Sequence, residues 1–260
     1  MAAIMSNPQH SHALRIKAVV FDWRGTLVTE LDSRQWVREA LQLARLEHDD
    51  NAVDAVLRAI HTPELLSRLQ SPDGNINAER HHQTYFGVFR DAGLDDALAQ
   101  ALWDVDTDPT YNRFAADAAE TISVLLESGC KIGVLSNIHF DIRPYFSTSP
   151  FDSIETFVLS YEVDMQKPDP AIFEMMLEAL GTRAGETLMV GDRLSRDGAA
   201  KNIGMPTIIV DSLTDREKRQ LHQVTAYVEA NHIQFAPEDR NATALGDRAP
   251  TGSKRQHSMA

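Results

Sequence analysis

Polar side chains that can bind a metal ion or a phosphate follow several apolar stretches of this sequence. They are Asp22, Ser136, Asn137, Lys167, Asp192 and Asp197. Carboxylates are hard oxygen ligands suited to Mg²⁺, whereas a serine hydroxyl, backbone N–H groups and a lysine ammonium suit the oxygens of a phosphoryl group. A carboxylate beside a metal-bound phosphate can act as a nucleophile and form an aspartyl-phosphate. We expect this role for Asp22, because the Gly-Thr turn that follows it gives it both reach and backbone freedom.

Short apolar runs rich in Val and Ile precede most of these residues. The predicted strands are 16–22, 131–137, 154–160, 187–192 and 206–211. Their apolarity is continuous rather than alternating, which is typical of parallel strands covered on both faces. Helical patterns at about 114–128, 141–146, 170–180 and 195–203 lie between the later strands, so the sequence predicts a doubly wound α/β fold. Ligands of such sheets bind outside the carboxyl ends of the strands, where these polar residues would meet in one crevice.

The interval from Ser33 to about Asp106 interrupts this alternation. It contains helical patterns at 33–46, 51–60, 77–93 and 95–105 and no convincing strand. The segment "SPDGN" at 71–75 has the composition of a turn. An all-helical block inserted after the first strand is expected to form a small lid over the edge of the sheet. Lids of this kind exclude water and add contacts to the substrate.

Composition limits the classes of function. A net charge of −13 argues against a general nucleic-acid binder, because phosphate backbones recruit Lys and Arg. The single cysteine, Cys130, excludes an intramolecular disulfide framework and suits a reducing cytoplasm. Residues 1–15 contain no apolar run that fits a signal peptide, and no stretch approaches membrane-spanning length, so we expect neither feature. We therefore expect a cytoplasmic monomer or homodimer that acts on a small phosphorylated metabolite and binds neither nucleic acid nor membrane.

Four motifs carry a resemblance to a known family. The segments "FDWRGTL", "VLSN", "QKPDPAIF" and "VGDRLSRD" resemble, in order, the motifs of the haloacid dehalogenase-like (HAD) hydrolases, over roughly residues 16–211. The resemblance implies a Rossmann-like parallel sheet with helices on both faces, a helical cap inserted after the first motif, and a Mg²⁺-dependent phosphatase. It assigns the residues as follows: Asp22 is the nucleophile and a metal ligand, Ser136 and Lys167 bind the phosphoryl group, and Asp192 and Asp197 hold the metal. We expect Asn137, which follows Ser136, to bind substrate as well.

We expect the chain to consist of an α/β core made of two segments, a helical cap between them and a tail at each end. Residues 15–30 and 107–234 would form the α/β core, and residues 31–106 would form the helical cap. Residues 1–14 and 235–260 lack apolar periodicity and are expected to be disordered tails.

Arg24 departs from the pattern of the family. The phosphatases of this family have an aspartate two residues after the nucleophile, which protonates the leaving oxygen and then activates water. A guanidinium stays protonated and cannot take up that proton, and general acid–base help is typically worth about 10²–10⁴ in rate. The metal site would survive, because this position offers Mg²⁺ its backbone carbonyl. Binding is therefore expected to be preserved better than turnover.

Four alternatives follow from Arg24. The first is a phosphatase that is slow, or that takes its acid and base from the cap or the substrate. His81 and His82 are candidates, although a solvated helix face is the simpler expectation for them. The second, a phosphonatase, needs a cap lysine, and the chain has none between Lys17 and Lys131.

The third alternative, a 2-haloacid dehalogenase, needs no leaving-group proton, but the full acidic pair Asp192 and Asp197 favours a metal and hence phosphate. The fourth is a non-catalytic or regulatory protein that binds phosphate or Mg²⁺. In that protein Arg24 would either pair with Asp22 and quench it or hold phosphate as a fixed cation.

Overall fold

The computed structural model describes residues 15–69 and 77–233. The expectations for the two tails and for the turn at 71–75 concern residues outside these ranges.

Five parallel strands form the central sheet. They are β1 (Ala18–Phe21), β2 (Lys131–Ser136), β3 (Thr156–Leu159), β4 (Thr187–Gly191) and β5 (Thr207–Ile209), in the spatial order β3-β2-β1-β4-β5. In this register Phe21 of β1 lies beside Val134 of β2 and Val190 of β4. The carboxyl ends of these three strands are therefore almost level, and the residues that follow them meet at one edge of the sheet.

Nine helices accompany the sheet in the described residues. They are α1 (Ser33–Leu43), α2 (Asp50–Ile60), α3 (Pro63–Leu69), α4 (Ala78–Asp91), α5 (Asp96–Thr107), α6 (Ala118–Glu127), α7 (Ser160–Val163), α8 (Pro170–Leu180) and α9 (His222–Ile233). The predicted helix at 170–180 is confirmed. The helix expected at 195–203 is a 3-10 helix over Asp197–Ile203, and α3 and α9 lie where no helix was expected.

Both faces of the sheet are covered, as the continuous apolar runs predicted. Successive side chains of β1 point to opposite faces: Val19 and Phe21 belong to one buried cluster, whereas Ala18 and Val20 belong to another. Helices α6 and α9 pack on the first face, and α8 with the 3-10 helix at 197–203 packs on the second. The Rossmann-like architecture is thus confirmed.

The helices α1 to α5 form a separate all-helical unit. Its own buried cluster includes Val37, Ile60, Phe89 and Leu102, which are fully buried. Four of its helices begin at an Asp or Asn whose side chain accepts a hydrogen bond from a backbone N–H of the first turn: Asp32, Asn77, Asp49 and Asp95. Such caps satisfy donors that a helix leaves unpaired at its start. Local sequence therefore sets the helix starts, and the shared apolar cluster holds the unit together.

No helix in the described part of the chain is long and apolar enough to span a membrane.

Candidate active site

Asp22 follows β1 directly and lies at the base of a cavity at the carboxyl edge of the sheet. Its backbone N–H donates to the carbonyl of Val190, which extends the pairing of β1 with β4 to the site. The chain then turns at Gly25, which has a φ of 78°. A Cβ at Gly25 would lie 2.5 Å from Asp192 Oδ2, so only glycine permits both the turn and the close approach of Asp192.

Lys167 is the central cation of the site. Its Nζ donates to Asp22 Oδ1 at 2.7 Å, to Asp197 Oδ1 at 2.6 Å and to the carbonyl of Leu135 at 3.0 Å. The residue is only 2% exposed. Burial acts to lower the pKa of Lys167, but the two carboxylates outweigh it and raise that pKa. The ammonium therefore stays charged beside Asp22.

Asn137 holds the backbone of Lys167 in place. Its Nδ2 donates to the carbonyl of Lys167 and its Oδ1 accepts from the N–H of Lys167, both at 2.9 Å. These bonds fix the loop that carries the lysine, while Asn137 and the buried Ser136 also line the cavity. The roles of Ser136 and Asn137 in binding a phosphoryl group stay predictions, and for the Asn137 amide the described contacts are those with Lys167.

Three carboxylates converge at this edge. Asp22, Asp192 and Asp197 each offer one oxygen, and these oxygens lie within 4.8 Å of one another. Asp197 Oδ2 accepts from the N–H of Arg193 at 2.9 Å, whereas Asp192 Oδ1 is buried and has no hydrogen-bond partner among the described residues. Gly191 makes room, because a Cβ there would lie 2.2 Å from Asp197 Cγ.

The carboxylates carry more negative charge than their protein partners compensate. Burial raises the pKa of Asp22 to about 7; Lys167 opposes this shift, and the negative charge of Asp197 adds to it. Burial also raises the pKa of Asp192. A buried carboxylate oxygen without a donor, beside two further carboxylates, is the environment that a hard divalent cation satisfies. The residues present therefore fit Mg²⁺, with Asp22, Asp192 and Asp197 as the side chains that would hold it.

Arg24 does not pair with Asp22. Its Nη1 donates to Asp106 Oδ1 at 3.2 Å, its Nη2 donates to the carbonyl of Asp106, and its Nε donates to Asn112 Oδ1 at 3.2 Å. The guanidinium also lies over the rings of Trp23 and Phe140, 5.3 and 5.4 Å from their centres. Arg24 thus joins the loop after Asp22 to the end of α5, and it does not pair with Asp22 in this structure.

A second charged group lies around Asp106, at the end of α5. The Nε2 atoms of His139 and His81 lie 3.3 and 3.7 Å from Asp106 Oδ2. Burial acts to raise the pKa of Asp106, but the charge of Arg24 and the contact with His81 lower it below its usual range. Burial lowers the pKa of His139 to about 3. The negative charge of the Asp106 carboxylate is therefore balanced by the Arg24 guanidinium, and the neighbouring His139 imidazole is neutral.

The histidines of this group are poorly arranged to share a metal ion. The rings of His81 and His139 are stacked, with centres 3.5 Å apart and planes 13° apart. An imidazole nitrogen binds a metal along a lone pair in the plane of its ring, and two nearly parallel rings direct these lone pairs into separate planes. We therefore read the Asp106 group as a structural contact between the helical unit and the core.

The expectation of a solvated helix face for His81 is wrong. His81 is 4% exposed, because α4 packs against the loop after β2 and the ring stacks on His139. Asp106, Asn112 and His139 are site residues that the sequence did not indicate. Arg24 itself was the available signal, since a cation that replaces an expected carboxylate needs a counter-charge when it is largely buried.

One cavity joins the two charged groups. It measures about 470 Å³ and is lined by Asp22, Arg24, Glu30, His81, Tyr85, Asp106, Ser136, Asn137, His139, Lys167, Arg193, Arg196 and Asp197, among others. The sheet edge supplies the carboxylates and Lys167, whereas the helical unit supplies His81, Tyr85 and Asp106. The helical unit therefore forms one wall of the space above Asp22.

Comparisons with known proteins agree with this geometry. A family model described as haloacid dehalogenase-like hydrolase matches residues 16–204. A ribulose-1,5-bisphosphate 5-phosphatase from Halopiger xanaduensis is 27% identical over 166 residues, which cover 63% of this chain and 59% of that protein. This chain therefore spans less than two thirds of that relative.

Two further relatives are covered over more of their length. A phosphoglycolate phosphatase from Rhodospirillum rubrum is 27% identical over 214 residues, which cover 77% of this chain and 82% of that protein. The crystal structure of a HAD phosphatase from Thermococcus onnurineus has 26% identity and a TM-score of 0.55, over 82% of this chain and 98% of that one.

Proposed function

This chain belongs to the haloacid dehalogenase-like hydrolases and is an enzyme of the phosphatase type, and we propose that it hydrolyses a small phosphorylated metabolite with Mg²⁺ through an aspartyl-phosphate on Asp22. Residues 31–106 act as its cap in this proposal, over a core of residues 15–30 and 107–234. The names of the relatives support a phosphomonoester as the substrate, and the cavity above Asp22 can hold a small one.

The observation that carries the proposal is the charge at the edge of the sheet. Asp22 and Asp197 share the ammonium of Lys167, whereas Asp192 lies 3.8 Å from an Arg193 guanidinium that Glu30 already holds. One buried oxygen of Asp192 has no hydrogen-bond donor among the described residues. A group that is overall negative and buried would destabilise the fold without a ligand, whereas a divalent cation offsets its charge and gives the buried oxygens a partner. Mg²⁺, when bound, neutralises charge on the phosphoryl oxygens.

The reaction follows from the positions of the side chains. An oxygen of Asp22 attacks the phosphorus, the bond between phosphorus and the leaving oxygen breaks, and the phosphoryl group stays on Asp22. Lys167, 2.7 Å from Asp22 Oδ1, and Ser136 stabilise the charge on the transferred group. A water molecule then attacks the same phosphorus, which releases phosphate and restores the carboxylate.

The presence of Arg24 affects where the leaving oxygen obtains its proton. Arg24 is held by Asp106 and Asn112, and its guanidinium stays protonated, so residue 24 cannot give a proton to the leaving oxygen and then take one from water. The proton comes from the substrate or from water in this proposal. Rates should therefore depend steeply on the acidity of the leaving alcohol.

A panel of phosphomonoesters tests the function. The purified protein should hydrolyse some of them only with Mg²⁺, and Asp22→Asn should reduce kcat by about 10³ or more. A series of aryl and alkyl phosphates should show rates that fall steeply as the pKa of the leaving alcohol rises. If Mg²⁺ and phosphate bind but no ester in the series is hydrolysed, the protein is a binder and not a phosphatase.

A further inference from the structure

We propose that Arg196 forms a second anion-binding subsite in the cavity, so that the substrate is a phosphomonoester with a further carboxylate or phosphate group. This inference rests on the proposed function, because it concerns the part of the substrate that is not transferred.

The other charged side chains of the cavity have partners. Lys167 pairs with Asp22 and Asp197. Arg24 pairs with Asp106. These cations are held by carboxylates within the protein, so each has part of its charge compensated before any ligand arrives.

Arg193 is likewise held. Its Nη2 donates to both carboxylate oxygens of Glu30, at 2.5 and 2.7 Å, and its Nε lies 3.8 Å from Asp192 Oδ2. Arg193 therefore links the loop after β4 to Glu30, and both oxygens of the Glu30 carboxylate already accept from its guanidinium.

Arg196 differs from these cations. It lines the same cavity and is half-buried, yet its guanidinium makes no hydrogen bond and no ion pair with any residue in the described ranges. Its backbone is fixed, since its N–H donates to the carbonyl of Arg193 at 3.0 Å and Asp197 follows it with 1% exposure. This hydrogen-bonded turn thus presents to the cavity a guanidinium that has no ion pair in the described ranges.

The chemistry of the side chain indicates its ligand. A guanidinium has five N–H donors in a planar fork that matches a carboxylate or a phosphate, and it loses little solvation when it enters such a contact. The phosphoryl group of the substrate is already accounted for by Lys167 and the metal site. A second anionic group on the same small molecule is the ligand that matches Arg196.

Two matched pairs of compounds distinguish the sources of the anion. 3-Phosphoglycerate differs from glycerol 3-phosphate by a carboxylate, and fructose 1,6-bisphosphate differs from fructose 6-phosphate by a phosphate. Binding is measured by calorimetry with Mg²⁺ on the Asp22→Asn protein, which does not turn the compounds over. In at least one pair, the compound with two anionic groups should bind about tenfold tighter or more.

Variants at position 196 test whether Arg196 causes the tighter binding of the compound with two anionic groups. Arg196→Gln should abolish it, Arg196→Lys should keep part of it, and Arg219→Gln should leave it intact, since Arg219 is exposed and pairs with Glu120. Equal binding within both pairs, or an advantage that survives Arg196→Gln, would overturn the subsite. If the advantage is present but the wild-type protein hydrolyses no ester, the subsite stands and the proposed phosphatase function fails.

Discussion

The two charged groups that line the cavity differ in how completely the protein neutralises them. At the edge of the sheet, Asp22 and Asp197 share the ammonium of Lys167, and Asp192 lies 3.8 Å from an Arg193 guanidinium that Glu30 already holds. At the end of α5, Asp106 alone faces the guanidinium of Arg24 and two imidazoles. The pKa values follow this difference, since the pKa of Asp22 is raised to about 7 and that of Asp106 lies below its usual range. An uncompensated group is prepared for ligands, whereas a compensated one stabilises a contact.

Removing one carboxylate from the uncompensated group should have the largest effect. Asp192→Asn replaces an anionic ligand by a neutral one, so the affinity for Mg²⁺ should fall about a hundredfold. Calorimetry measures this affinity directly. Asp211→Asn is the control, because Asp211 is exposed and pairs with Lys218. Unchanged Mg²⁺ affinity in Asp192→Asn would place the metal elsewhere.

Breaking the compensated group should affect stability instead of metal binding. A double-mutant cycle with Arg24→Gln and Asp106→Asn should give a coupling of about 2 kcal/mol in the free energy of unfolding, because the pair is largely buried. The exposed pair Arg143 and Glu162 is the matched control and should give less than about 1 kcal/mol. Urea denaturation measures both.

The reversed pair sharpens this test. Arg24→Asp alone places two carboxylates together, whereas Arg24→Asp with Asp106→Arg restores the attraction and puts a carboxylate at position 24. The double variant should be more stable than Arg24→Asp alone. Equal stability of the two would show that Arg24 and Asp106 do not act as a pair.

Removing the contact between Asn137 and the backbone of Lys167 should have a smaller effect, and it should appear in turnover. Asn137→Ala removes both side-chain bonds to the backbone of Lys167, so the ammonium is less well placed and kcat/KM should fall about tenfold. Steady-state kinetics checks this, with the exposed Asn202→Ala as control. A fall confined to KM would indicate that Asn137 binds substrate and does not position the lysine.

The smallest effect concerns acid stability. The pKa of Asp106 is lowered on folding, so its ionised form stabilises the protein above the ordinary pKa of 3.8, and this contribution disappears as pH falls through the lower folded value. The difference in unfolding free energy between wild type and Asp106→Asn should be constant near neutral pH and should shrink below about pH 4. A difference that grows on acidification would contradict the sign of this shift.

The sheet and its carboxylates could be predicted because they depend on local pattern and on a general rule of parallel sheets. Continuous apolar runs located the five strands, and level strand ends brought Asp22 and Asp192 together, whereas Lys167 reaches Asp22 from the loop after α7. The helix at Pro170–Leu180 could be predicted as well, because it begins with a proline and is followed by Gly181, which has a φ of 63°.

The Asp106 group could not be predicted, because it depends on how the helical unit packs on the core. Arg24 and Asp106 are 82 residues apart in sequence, and His139 meets His81 only through the placement of α4. No local pattern records such contacts. Helices α3 and α9 were missed for a different reason: α3 is only seven residues long, and α9 mixes β-branched and polar residues without a clear helical stripe.

The central claim is that Asp22 accepts the phosphoryl group. The most direct measurement is an acid quench of the protein during turnover with a radiolabelled phosphomonoester, followed by borohydride reduction and peptide mapping. We expect label on the peptide that contains Asp22, conversion of that residue to homoserine, dependence on Mg²⁺, and no label in Asp22→Asn. Hydrolysis that proceeds without label at residue 22, or with label at another residue, would contradict the account.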